Sequence, residues 1–309
     1  MKLTKAILCG TRYGAVYLPI LAGLPEFDFK GIFSRGSGHS LQLAQRLAVP
    51  SYTAIDSLPN DIDLAVIAIG GSNGVELAEH FLMHQSNVLI EHPVSPESYL
   101  QLSSLAREYS QKLFVNSHFR YTTAITKYIE LIKGEPSTPN SVVVSTSSRT
   151  LFSILDVVFD CFGLPQAVQP LSQTAEGYQQ WLIQTEQCPV LLNYQSWQGD
   201  DDTGADVCMG HSIQAFYAQK SLQLANSWGP VIEQKQPSQE MNGSLVQVHN
   251  ELTDTQAIYG CRRMANLNLL RQLIAVIEGQ QATPYEQTVQ HLEQVTSMWQ
   301  NIKSADLVS

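Results

Sequence analysis

The chain has 309 residues, of which 44% are hydrophobic, 15% charged and 8% aromatic. That is the composition of a globular protein long enough for two domains, and it excludes extended disorder. A net charge of −10 sets nucleic acid and anionic membrane surfaces aside as partners, while a locally positive pocket can still take an anionic cofactor.

The opening stretch MKLTKAILCG enters a strand over residues 4–10 directly, with no long apolar signal core. No apolar run reaches the ~20 residues of a membrane helix, so the cytoplasm is the expected location. Cys9 lies in this strand and is expected to be a buried, inert thiol. The five cysteines form no CxxC pair, so neither a disulfide framework nor a structural zinc site is expected, and no metal is predicted.

From there strand and helix alternate. Residues 13–24 read as a helix, 27–34 as a strand, 40–49 as a helix, and 49–59 as a short strand and turn. Residues 61–71 read as a strongly apolar strand, as expected in a parallel sheet covered on both faces. A helix over 73–85, a strand over 86–95 stopped by Pro93, a helix over 97–111 and a strand over 112–119 follow. This rhythm predicts βαβ units and a doubly wound, Rossmann-type parallel sheet over residues 1–120.

Beyond about Arg120 the rhythm changes. A helix over 124–133, a Pro- and Ser-containing loop, a strand over 141–148 and an amphipathic helix over 151–163 ended by Gly163 precede alternating segments over 167–249. Two helices, 262–279 and 284–302, close the chain. The second domain, 121–309, is therefore predicted to be α+β with a mostly antiparallel sheet.

The first strand-to-helix turn reads Gly10-Thr11-Arg12-Tyr13-Gly14. Glycines at this place let the backbone approach a pyrophosphate, and the helix start that follows supplies N–H groups and a positive dipole end. The full GxGxxG is absent, and a merely tight turn is the other reading. The second strand ends Phe33-Ser34-Arg35-Gly36-Ser37. No carboxylate stands there for a ribose 2′-hydroxyl. Arg35, with the hydroxyls of Ser34, Ser37 and Ser40, suits a 2′-phosphate, so NADPH is the expected cofactor. A solvated loop that happens to carry an arginine is the alternative.

The fifth strand ends Glu91-His92-Pro93. Here the sequence resembles the Gfo/Idh/MocA oxidoreductases, which carry Glu-Lys-Pro with the lysine near the nicotinamide. The histidine narrows the resemblance. CGTRYG, the SRGS turn, DIDLAVIAI, IEHPVSP, VVSTSSRTLFSILDVVFDCFG and NSWGPV look like thiazolinyl imine reductases of siderophore assembly.

That resemblance implies NADPH-dependent reduction of a thiazoline C=N to a thiazolidine, on an intermediate tethered to a carrier domain of a nonribosomal peptide synthetase. It also implies a homodimer formed through the outer face of the second sheet. Glu91 and His92 would lie by the cofactor. His92 has the chemistry of a general acid or orienting donor, although a loop histidine bonding to backbone is the alternative. In the related reductases a tyrosine in the next stretch is the second proton donor. Alignment places Phe119 there, leaving His118, Tyr121 or a water for that task, and His118 and Tyr121 also read as a packing pair.

The broader family often has an acidic residue facing the cleft where Asp156 stands, but a solvated helix-surface aspartate fits equally. Asp200, Asp201 and Asp202 read as a solvated turn, with no histidine at ligand spacing beside them. The rival readings are a sugar or inositol dehydrogenase of the broader family and a non-catalytic NADP-binding regulator.

Overall fold

The computed structural model describes residues 3–174, 177–196, 211–236, 245–249 and 255–305. The chain divides into two compact units. One comprises residues up to Asn116 together with Asn266–Val289, and the other Ser117–Ala265 with the residues from Gln290 onward. Asp200–Asp202 and Cys208 lie outside the described residues.

The first unit is built on six parallel strands: β1 (Thr4–Cys9), β2 (Phe27–Phe33), β3 (Ser51–Tyr52), β4 (Leu64–Ile67), β5 (Asn87–Ile90) and β6 (Leu113–Val115). Their order is β3-β2-β1-β4-β5-β6. The chain leaves β1 toward one edge through β2 and toward the other through β4. The point where the direction reverses lies at the carboxyl ends of β1 and β4, the place where such sheets bind ligands.

The apolar runs predicted as strands are the core. Ala6–Cys9 and Leu64–Ile67 are buried, as are Val88, Leu89 and Ile90. Truncating one such leucine to alanine typically costs about 2–5 kcal/mol.

The connecting helices are α1 (Leu18–Leu21), α2 (Gly38–Arg46), α3 (Gly71–Met83) and α4 (Pro96–Glu108). The helix predicted over 13–24 is shorter than expected: a 3-10 turn at Gly14–Tyr17 runs into the single turn of α1. Pro19 has no N–H to donate, and Gly23 and Pro25 follow at once, so little sequence remains that favours helix. The strand predicted over 112–119 stops at Val115, and His118–Tyr121 form a 3-10 turn.

The second unit holds an eight-stranded sheet. Its strands are β7 (Ser141–Ser147), β8 (Pro165–Gln173), β9 (Tyr178–Thr185), β10 (Pro189–Gln195), β11 (Ser212–Phe216), β12 (Lys220–Leu224), β13 (Val231–Lys235) and β14 (Val246–His249). Their order is β14-β13-β12-β11-β7-β10-β9-β8. Every pair is antiparallel except β7 with β10.

Burial alternates strictly along β7 and β10. Val142, Val144, Val190 and Leu192 point inward, on the side of helices α5 (Thr123–Lys133) and α6 (Leu151–Phe162). Helix α6 ends as predicted at Gly163, whose φ is +86°. Helix α7 (Thr255–Ile277) is divided between the units after Ala265, and α8 (Val289–Ala305) ends the described chain. Among the described residues no helix is long and apolar enough to cross a membrane.

Candidate active site

In the first unit the turn after β1 is shaped by Gly10. Its φ is +94°, and a Cβ there would stand 2.7 Å from the Ala68 carbonyl oxygen and 2.8 Å from Ile69 Cγ1. Only glycine fits. Gly14 lets the helical segment lie against the sheet, since its Cβ would meet Leu8 Cδ1 at 3.0 Å and Ala68 Cβ at 3.1 Å. Thr11 is buried, whereas Arg12 and Tyr13 are exposed. The turn therefore presents a cation, an aromatic ring and the first N–H groups of a helical segment, a combination that could receive an anion.

At the end of β2, Arg35 is exposed and points to no described carboxylate partner. The serines beside it divide into two roles. Ser34 and Ser40 are buried, and the Ser34 hydroxyl donates to Ser40 Oγ at 2.8 Å. Ser40 Oγ in turn donates to the Ser37 carbonyl at 2.8 Å, and the Ser34 hydroxyl accepts from the Gly36 N–H at 3.2 Å. Ser37 caps α2 by accepting the Ser40 N–H. Ser34 and Ser40 thus hold the turn together from inside, and Arg35 and Ser37 are the side chains left on its outer surface.

At the end of β5 a hydrogen-bonded set fixes Glu91 and His92. The Tyr17 hydroxyl donates to Glu91 Oε1 at 2.7 Å. The Asn116 amide donates to the same oxygen and to the Tyr17 oxygen, both at 2.6 Å. His92 Nδ1 lies 2.6 Å from the Asn116 backbone carbonyl. A carbonyl only accepts, so Nδ1 carries a proton and Nε2 is the nitrogen that gains or loses one. A cavity of about 360 Å³ opens beside this set, lined by Gly70, Gly71, Ser72, Glu91, Pro93 and Ser95 among others.

In the second unit the 3-10 turn carries His118, Phe119, Arg120 and Tyr121. His118 is buried and Tyr121 half-buried. The His118 and Phe119 rings lie 4.3 Å apart, tilted by 31°. Arg120 is buried, and its Nη1 donates to both oxygens of Asp156 at 3.0 Å. Its Nη2 pairs with Asp160, which Lys133 also reaches at 2.8 Å. His291 Nε2 stands 2.8 Å from Asp156 Oδ1.

Asp156 is thus not a solvated surface aspartate; it is 1% exposed and ion-paired. Burial pushes its carboxyl up, but Arg120 and His291 outweigh that and hold it below the usual range. Among the described residues there is no cluster able to hold a metal ion.

Sequence reasoning missed Tyr17, Asp160, His211 and His291 altogether. Asn116 directly follows β6, and a polar residue at the carboxyl end of a parallel strand was the one usable signal. Tyr17, Asp160 and His291 act through partners far away in sequence.

Residues 4–117 match the model described as "Oxidoreductase family, NAD-binding Rossmann fold" for the Gfo/Idh/MocA proteins. Residues 137–234 match the model described as "Thiazolinyl imine reductase Irp3-like, C-terminal". The search of curated proteins found no match.

Solved structures share the fold. UDP-N-acetylglucosamine 3-dehydrogenase GnnA from Acidithiobacillus ferrooxidans is 13% identical with a TM-score of 0.74, over 99% of this chain and 98% of that one. An oxidoreductase from Agrobacterium radiobacter in complex with NAD+, L-tartaric acid and magnesium is 11% identical with a TM-score of 0.77, over 99% and 97%. A Gfo/Idh/MocA family oxidoreductase from Vibrio cholerae is 16% identical with a TM-score of 0.73, over 98% and 99%. With a dinucleotide-type sheet in its first unit and the two family models matched in succession, the chain is a Gfo/Idh/MocA oxidoreductase whose C-terminal domain is of the thiazolinyl imine reductase type.

Proposed function

We propose that the protein reduces the C=N bond of a thiazoline to a thiazolidine with NADPH, on a siderophore intermediate presented by a carrier domain of a nonribosomal peptide synthetase. The observation that carries this reading is the match of residues 137–234 to the thiazolinyl imine reductase C-terminal domain. The boundary near residue 120, with cofactor binding before it and substrate binding after it, is part of the same proposal.

The residues present fit a dinucleotide. Gly10 permits close backbone approach, Arg12 and Tyr13 are exposed beside it, and a Cβ added at Gly70 or Gly71 would meet nothing within 4 Å. Gly10, Thr11, Arg12, Tyr13 and Gly14 would hold the pyrophosphate. Arg35, Gly36 and Ser37 would face the 2′-phosphate, with Ser34 and Ser40 shaping their turn. Exposed Arg35, with no carboxylate at the end of β2, favours NADPH over NADH.

A bound nicotinamide supplies the hydride. The chain supplies the rest. His92, doubly protonated, donates from Nε2 to the imine nitrogen while Nδ1 keeps its bond to the Asn116 carbonyl. It is left in the tautomer which that bond already favours, and it recovers its proton from solvent. Glu91, held by Tyr17 and Asn116, keeps the neighbouring backbone in place. His118 or Tyr121 would provide the second donor that Phe119 cannot.

The outer face of the second sheet supports a homodimer. Its outward positions include Val143, Leu182, Leu191 and Ile232 among serines, asparagine and glutamines. Among the described residues of β7 and β9–β13 that face carries no charged side chain, so two copies can meet there despite the net charge of −10.

The test is NADPH oxidation in the presence of an aryl-thiazoline thioester. Substrate-dependent oxidation is expected. Its absence, with a sugar or inositol oxidised by NAD+ instead, would replace the reading with a dehydrogenase.

A further inference from the structure

Strand β6 is the outer strand of the parallel sheet and pairs only with β5. Toward β5 its bonding is ordinary, the Asn116 N–H donating to the Ile90 carbonyl at 2.8 Å. Peptide groups alternate in direction along a strand, so those of Val115 point outward, where no further strand of this sheet lies. Val115 is completely buried, and polar backbone groups there need partners. Gln287 supplies both. Its side-chain oxygen accepts the Val115 N–H at 3.0 Å, and its side-chain N–H donates to the Val115 carbonyl at 3.0 Å. One amide side chain, 172 residues away in sequence and 4% exposed, thus stands in for the peptide of a missing neighbour strand. It sits in a 3-10 turn, Tyr285–Gln287, that belongs to the same compact unit as the sheet.

The residue after Val115 gives this clamp its consequence. The Asn116 carbonyl accepts from His92 Nδ1 at 2.6 Å, and the Asn116 amide holds both Glu91 and the Tyr17 hydroxyl. The end of an edge strand is where a sheet opens most easily. Here it is fixed one peptide before the carbonyl that aims the imidazole. We propose that Gln287 is a positioning residue for His92. By clamping Val115 it fixes the Asn116 carbonyl, and with it the direction in which His92 Nε2 presents its proton. It acts through these two residues and takes no part in the chemistry. An amide is the right group, because it carries a donor and an acceptor side by side as a peptide does, whereas a carboxylate only accepts. This inference rests on the reading of His92 as the proton donor to the thiazoline.

The test compares Gln287→Met and Gln287→Glu with the parent enzyme. Methionine keeps the length and removes both hydrogen bonds, while glutamate keeps the acceptor and loses the donor. Any role for Gln287 makes the variants less stable, so two other readouts decide. With NADPH and an aryl-thiazoline thioester, kcat should fall about tenfold to a hundredfold, the scale of a displaced catalytic group, whereas KM for the thioester and Kd for NADPH should hold. The second readout needs no substrate. In protein labelled with 15N-histidine, the His92 Nδ1–H signal is identified by its loss in His92→Ala. In the Gln287 variants it should move upfield and exchange faster with water than in the parent.

A parent-like kcat, or an unmoved Nδ1–H signal, would overturn the inference and leave the thiazoline reading standing. A parent enzyme that never reduces the thioester would overturn the thiazoline reading, and the signal then decides alone whether Gln287 positions His92. Should neither variant fold, exchange of the Val115 amide proton in the parent decides. Protection equal to that of the β4 amides is expected, and protection no better than that of a loop amide would overturn the clamp.

Discussion

Arg120 and Asp156 form a two-pronged ion pair, one guanidinium nitrogen donating to both carboxylate oxygens at 3.0 Å, with side chains only 6% and 1% exposed. The pair ties the 3-10 turn carrying His118 and Tyr121 to helix α6, and through His291 to helix α8. The turn is thereby held by charge as well as by packing.

Breaking a buried pair from one side leaves the other charge uncompensated. Asp156→Asn should lower unfolding free energy by about 3–5 kcal/mol, measured by urea denaturation at pH 7. A loss well under 1 kcal/mol would mean that the turn is held by packing alone.

The same carboxylate sets an acid limit. Its folded pKa lies below the ordinary value despite burial, because Arg120 and His291 favour the ionised form. The unfolded carboxyl titrates near about 3.9. Its contribution is in place above that pH and is lost as pH falls through the lower folded value. The melting temperature of the parent should drop more steeply below about pH 4 than that of Asp156→Asn. Parallel acid limbs would count against it.

Arg35→Ala should weaken NADPH binding on the order of tenfold or more and leave NADH nearly unchanged, as expected for loss of a charged contact to the 2′-phosphate. Isothermal titration with both cofactors reads this directly. Equal losses would remove Arg35 from the phosphate.

His92→Ala should reduce kcat by about 10²–10⁴, the range of general acid catalysis, while NADPH affinity holds. Pre-steady-state traces separate the two effects. Full turnover in the variant would return residue 92 to a structural role.

Leu191→Asp should turn a dimer into a monomer, because it places like charges opposite one another on an otherwise uncharged sheet face. Light scattering after size exclusion reports the mass. A monomeric parent, or a dimer indifferent to the substitution, would rule out that interface.

The β-sheet cores were legible because their signals are local. Ala6–Cys9 and Leu64–Ile67 are continuous apolar runs, which only strands buried on both faces require. Gly10 and Gly14 announced the turn through their spacing; Gly10 proves sterically obligatory, and a Cβ at Gly14 would crowd Leu8 and Ala68. Arg35 could be located, but nothing in the sequence said that the Ser34 and Ser40 hydroxyls would be consumed within their own turn. The solvated reading of Asp156 fails because its partners, Arg120 and His291, lie on other elements. His211 left no trace for the same reason. The Phe119 ring is brought beside it only by chain folding.

The most direct measurement follows the hydride itself. The enzyme is incubated with NADPH deuterated at the transferable position of the nicotinamide and with a carrier-bound aryl thiazoline, and the released product is weighed. A thiazolidine carrying one deuterium on the former C=N carbon is the expected result. An unreduced thiazoline, or a reduced ring without deuterium, would contradict NADPH-dependent imine reduction by this protein.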